Sequence, residues 1–191
     1  SMITNNGQMN IEYKPSKSSP HGRMFGNSGI QNISGVIRGF LFNEITTDFD
    51  FKNCHPKIAL YICRKNNIHC PNLADYCNNR NKWLQIAPDT KFVILSMLNN
   101  QRINYDNKNN QLRDLDKELK TIQTKIYNLP EYQHIISGCN NEKNNIVGSG
   151  FNKVLCYYEN LLLNDLITYF KTKIALILQF QCLTEQWYMV L

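Results

Sequence analysis

Apolar side chains recur every three or four residues through the stretch 112–126, at Leu112, Leu115, Leu119, Ile122 and Ile126. That spacing lines them along one side of a helix, so the segment predicts an amphipathic helix with a buried stripe. Its other face carries Arg113, Asp114, Lys117, Glu118 and Lys120, which the pattern assigns to solvent. A second long helix is expected over 151–170, with Leu155, Tyr158, Leu162 and Leu166 along one side. Shorter helical patterns precede these two. Residues 56–65 present Ile58, Tyr61 and Ile62, and residues 71–86 open on Pro71, a residue suited to a first helical turn. The run 89–98 is strongly apolar and begins at Asp89, whose charge favours the positive end of a helix dipole.

The earlier part of the chain reads differently. Residues 1–20 are polar, hold Pro15 and Pro20, and are expected to form a flexible leader. Residues 36–42 and 45–51 flank a turn expected at Asn43-Glu44 and carry β-branched and aromatic side chains, which predicts strands. Polar, asparagine-rich breaks are expected over 99–111 and 139–145, and no internal repeat is visible. Strands first and helices afterwards imply an α+β chain rather than alternating βαβ units. The organisation that follows is a leader over 1–20 and a single body over 21–191.

Composition narrows the class. Of 191 residues, 42% are hydrophobic and 11% aromatic, enough for a packed core and against global disorder. The net charge of +6 suits a phosphate-rich partner, although no concentrated basic run adds to it. Asparagine is used heavily and alanine sparingly, a bias of AT-rich coding that says little about mechanism. A membrane span needs about 18 or more consecutive apolar residues, and none is present. Seven cysteines, an odd number with no secretory signal, point to free thiols in a reducing, intracellular setting. Cys63, Cys70 and Cys77 stand seven apart with His69 beside the second. Structural zinc ligands usually pair two to four residues apart, so these three are read as buried or half-buried thiols.

One segment carries candidate chemistry. In Thr47-Asp48-Phe49-Asp50-Phe51 the two carboxylates alternate along a candidate strand and so share a face. Such a pair repels itself unless a cation lies between. Around it stand His21-Gly22-Arg23-Met24-Phe25, Gly29-Ile30-Gln31-Asn32-Ile33, Val36-Ile37-Arg38-Gly39-Phe40 and Asp50-Phe51-Lys52-Asn53-Cys54-His55. In order and spacing these four elements resemble the palm region of family A DNA polymerases. The stretch from Asp50 to Ile58 is also similar to the family B pattern Asp-Phe-x-Ser-Leu-Tyr-Pro-Ser-Ile.

The resemblance implies a small palm-type β-sheet with a mostly helical, fingers-like remainder. It implies nucleotidyl transfer with two Mg2+ ions, on a primer–template with nucleoside triphosphates, in a viral or plasmid setting of DNA replication. Asp50 resembles the catalytic metal-binding carboxylate, with Asp48 as a second metal-side carboxylate. His55 resembles the residue that crowds the sugar. Arg38 falls on the nucleotide side, and Arg23, Gln31 and Asn32 on the nucleic acid. Lys91 resembles the fingers lysine that grips the triphosphate, although Ala87 and Leu95 stand where that family has arginine and an aromatic.

A second catalytic carboxylate motif is not found where the family has it: no hairpin of that kind is expected after Tyr158, and the last residues are read as having no turn. The residues 180–190 are expected to be the product of a truncation or frameshift, because one back-translation reads out of frame as a strand–Asp-Gly–strand sequence. The chain is therefore expected to be inactive as it stands. Two alternatives remain open: a non-catalytic nucleic-acid-binding remnant, and a helical protein-interaction module.

Overall fold

The structure, a computed structural model, describes residues 12–17, 19–26, 32–42, 46–49, 51–99, 109–137, 145–173, 179–183 and 186–190. The architecture is α+β, and the chain divides into two compact units. One comprises residues 1–52 and 160–191, the other residues 53–159.

The first unit holds the strands. β1 (Tyr13–Ser16) and β2 (Ser19–Gly26) pair antiparallel, with Tyr13 opposite Gly26 and a register shift between Pro15 and Ser16. This hairpin starts inside the stretch expected to be leader. Prolines are tolerated here because a two-stranded ribbon has only edges, where a missing N–H costs little. A second sheet contains β3 (Thr46–Phe49), β4 (Gln179–Leu183) and β5 (Gln186–Val190) in the order β3-β5-β4, both pairings antiparallel. The antiparallel pair β4–β5 corrects the expectation that the last residues hold no turn. Its strands read Gln-Phe-Gln-Cys-Leu, which opens on a polar–apolar alternation, and Gln-Trp-Tyr-Met-Val, which carries the aromatic and β-branched residues that strands prefer.

Residues 36–42 also depart from expectation, since α1 (Gly35–Phe42) is a helix. Its start explains it. Ser34 stands at the N-cap, where its Oγ accepts the Ile37 N–H at 3.5 Å and its carbonyl accepts the Arg38 N–H at 3.0 Å. A short apolar run does not distinguish strand from helix by period, and here the cap decides. Val36, Ile37, Phe40 and Leu41 are all exposed on α1.

The second unit is helical: α2 (Cys54–Lys65), α3 (Pro71–Asn78), α4 (Arg80–Leu84), α5 (Thr90–Leu98), α6 (Asn110–Tyr127), α7 (Gln133–Ile136) and the first half of α8 (Ile146–Lys173). Its core runs from Ile58 to Leu155 and includes the whole predicted stripe of α6, each member at most 4% exposed. At the expected helix start, Pro71 occupies the first turn of α3. On α8 the buried hydrophobic positions include Phe151, Val154, Leu155 and Leu163, whereas Leu162, expected on the same side as Leu155, is 42% exposed. Cys63 and Cys70 are buried and Cys77 half-buried, as expected of thiols on successive helical segments. Burial pushes each of the three above the ordinary thiol range, Cys77 to about 11.

Polar side chains close the helix ends. Gln123, 1% exposed on α6, donates through Nε2 to the carbonyls of Met97 and Leu98 at 2.9 and 2.8 Å, satisfying the end of α5. Asn109 accepts the Leu112 N–H at 3.0 Å at the start of α6. Asn145 does the same for Gly148 at the start of α8, also at 3.0 Å. Among the described residues, no helix is long and apolar enough to cross a membrane.

Candidate functional site

β3 carries Asp48, whose backbone lies opposite Tyr188 of β5, with Thr47 opposite Met189 and Phe49 opposite Trp187. The strand of candidate carboxylates is thus an edge of a three-stranded sheet whose other members form a hairpin. Thr184 and Glu185 separate the two hairpin strands in sequence. Asp50 and Gln31 lie outside the described residues. Arg23 falls within β2, and Asn32 is exposed just ahead of α1. Arg38, half-buried on α1, turns back so that its guanidinium Nη1 donates to the carbonyl of Ile33. Lys91 sits in the first turn of α5 with an exposed side chain, beside Phe92 at 66% exposure. Asp48, Arg23, Asn32 and Arg38 belong to the first unit, and Lys91 and His55 to the second.

His55 has an environment that spacing did not disclose. It stands in the first turn of α2, after Asn53, which adopts the left-handed conformation at φ 57°. Asparagine tolerates that region better than most residues, and the local turn sets the direction in which α2 begins. The His55 Nε2 meets the Glu159 Oε2 at 3.3 Å, with the two side chains 16% and 7% exposed. Cys156 lies one helical turn before Glu159 on α8, and its thiol donates to the Asn152 Oδ1 at 3.5 Å. The imidazole, thiol and carboxylate each offer one donor atom, and these atoms all lie within 4.8 Å of one another.

Electrostatics tie the imidazole to this place. Burial acts to lower its pKa, but hydrogen bonds with Cys156 and Glu159 and the Glu159 charge outweigh burial and lift it to about 9. Glu159 and Cys156 were not singled out in the sequence. The pattern Cys-x-x-Glu inside a helix does place both on one face, a signal that gains meaning only with a third donor beside it.

Nearby, Tyr132 and Tyr158 share a hydrogen bond between hydroxyls at 3.1 Å, and Tyr61 and Tyr157 pack edge-on against Tyr158. Lys65 pairs with Glu131 at 2.9 Å on the adjoining surface.

Fold and site together define an α+β chain with a helical unit, two small antiparallel sheets and a buried His–Cys–Glu cluster. It matches no protein-family model and no solved structure. Over 82 residues, 41% of the chain, it is 38% identical to the "Putative helicase V13" of Sputnik virophage. That match covers 10% of the relative's length.

Proposed function

We propose that the chain is a palm-and-fingers-like part of a viral replication protein, a nucleotidyltransferase of DNA polymerase type that handles primer–template. The observation that carries this reading is the β3-β5-β4 sheet, in which the strand bearing Asp48 runs beside a hairpin. A polymerase palm needs that arrangement because two carboxylate-bearing segments must share two divalent cations. Asp48 and Asp50 supply the first segment. Glu185, which stands between β4 and β5 in sequence, is the candidate for the second. Mg2+ is the fitting cation, as hard oxygen donors select it.

Lys91, exposed at the start of α5, takes the triphosphate, and Arg38, Arg23, Gln31 and Asn32 take backbone and nucleotide contacts. His55 is left out of these contacts because its imidazole is committed to Glu159. The likeness to a virophage protein named for helicase activity adds a replication setting to the reading.

The test is binding of a fluorescent primer–template by the full chain, across salt and Mg2+ concentration. Affinity should fall with salt, with Lys91→Ala shallowing the logarithmic slope by about one unit. Mg2+ should strengthen binding of an incoming nucleotide, and Asp50→Ala and Glu185→Gln should each remove that gain. DNA binding indifferent to Mg2+ and to both substitutions would replace the reading with a non-catalytic nucleic-acid-binding remnant. No binding at low salt would replace it with a protein-interaction module.

A further inference from the structure

We propose that His55, Cys156 and Glu159 form a binding site for a transition-metal dication of the Zn2+ type. Three donors of different chemistry converge: an imidazole nitrogen, a thiol sulfur and a carboxylate oxygen, all within 4.8 Å of one another. Zn2+ takes this mixture of donors at about 2.0–2.3 Å, and four-coordinate tetrahedral geometry is its habit. In a tetrahedron with bonds of that length the N–O edge is roughly 3.3 Å. The His55 Nε2 and Glu159 Oε2 stand 3.3 Å apart, so these two donors already span one edge.

The supports are firm ones. Cys156 and Glu159 are held one turn apart on α8, and His55 is fixed by the first turn of α2. Glu159 is 5% exposed, and a carboxylate is seldom placed so deep without a cation or donor to face. A hard cation such as Mg2+ would not choose a set containing thiolate and imidazole, whereas Zn2+ and Co2+ do. Three protein ligands leave a fourth position for water or another group, as in zinc sites that are not closed. The inference rests on no part of the polymerase reading, since all three ligands lie in the helical unit and none is used for nucleotide or DNA.

The experiment uses the full chain, stripped with chelator and titrated with Zn2+ in a calorimeter and with Co2+ in a spectrophotometer. One equivalent of Co2+ should give a thiolate-to-metal charge-transfer band together with the strong visible bands of a four-coordinate ion. Cys156→Ser should abolish the charge-transfer band, and His55→Gln and Glu159→Gln should each weaken Zn2+ binding by tenfold or more. Cys70→Ala, which alters a thiol elsewhere, should leave the spectrum unchanged. Circular dichroism of each variant separates lost ligation from lost folding, and Cys156→Ser changes a single atom of a half-buried side chain. Absence of stoichiometric binding would overturn the site and leave His55 and Glu159 as an ion pair alone. A charge-transfer band that survives Cys156→Ser would also overturn it.

Discussion

Glu118 on α6 accepts the backbone N–H of Leu73 on α3 at 2.8 Å, and its other carboxylate oxygen takes the Asn72 N–H at 3.0 Å. The same oxygen also receives the Asn72 Nδ2 at 2.8 Å. A helix start leaves such N–H groups without partners and carries a partial positive charge, so one carboxylate from a neighbouring helix answers both needs. Glu118→Ala should therefore lower unfolding stability by about 1–2 kcal/mol, the usual scale for a lost cap. Urea titration should show a lower midpoint with an unchanged slope. Glu118→Gln keeps one acceptor oxygen and should lose less. An unshifted midpoint in Glu118→Ala would show that water replaces the carboxylate without cost.

Gly150 on α8 leaves room for Tyr127. A Cβ added there would stand 2.7 Å from two atoms of the Tyr127 ring and 3.1 Å from the Ile136 Cγ2. Alanine gains about 1 kcal/mol over glycine in a helix interior, while overpacking a tight contact costs about 1–3 kcal/mol. The clash should win, so Gly150→Ala should melt at a lower temperature. In a Tyr127→Ala background the same change should become neutral or stabilising, because the ring is gone. A double-mutant cycle by thermal melts measures this coupling. Additive effects would mean that the helices separate freely at this point.

Much of the helical unit was legible in the sequence because its physics is periodic. The stripe from Leu112 to Ile126 gave α6, and Pro71 marked the start of α3. Glu118 was not legible as a cap. By spacing it belongs with Lys117 and Lys120 on a polar face, and only the approach of α3 turns it inward. The helix α1 was hidden for another reason. Val36 and Ile37 suggest a strand, and the opposing evidence was one serine at the N-cap. The β4–β5 hairpin escaped because its connection lacks the Gly and Asn that usually announce a turn. As for the metal-competent cluster, one of its three donors had been singled out. His55 and Glu159 are 104 residues apart, and no local pattern links them.

Asp75 receives hydrogen bonds from the Asn79 Nδ2 at 2.6 Å and the Trp83 Nε1 at 2.8 Å. These donors, Asn79 first and then Trp83, hold its carboxyl below the usual carboxylate range. A depressed folded pKa means that the stabilisation is present above the unfolded pKa of about 3.9 and is lost as pH falls through the folded value. The wild type should thus exceed Asp75→Asn in stability at neutral pH, and the gap should narrow steadily in acid. Denaturant unfolding at a series of pH values, followed by tryptophan fluorescence, would trace it. A gap that is constant down to the most acid point would show that the carboxylate charge is not what Trp83 and Asn79 recognise.

The helical unit should fold by itself. Among the described residues, its hydrophobic core draws every member from the stretch between Ile58 and Leu155. The helix ends are closed from within as well: Gln123 serves α5, Glu118 serves α3, and Asn145 starts α8. A polypeptide of residues 53–173, ending where α8 ends, retains all of these contacts. It also lacks Trp187, which leaves Trp83 as its sole tryptophan. That indole is 1% exposed and packs edge-on to Tyr76 with ring centres 5.8 Å apart, so its emission reports directly on the core. The excised unit should show helical circular dichroism, blue-shifted Trp83 emission and one cooperative transition at a midpoint within a few degrees of the full chain's corresponding step. Leu115→Ala, at a position with no solvent exposure, should then cost about 2–5 kcal/mol within the excised unit. A helical but non-cooperative polypeptide with solvent-exposed tryptophan, indifferent to Leu115→Ala, would mean that the core needs the sheet-bearing unit to set its packing.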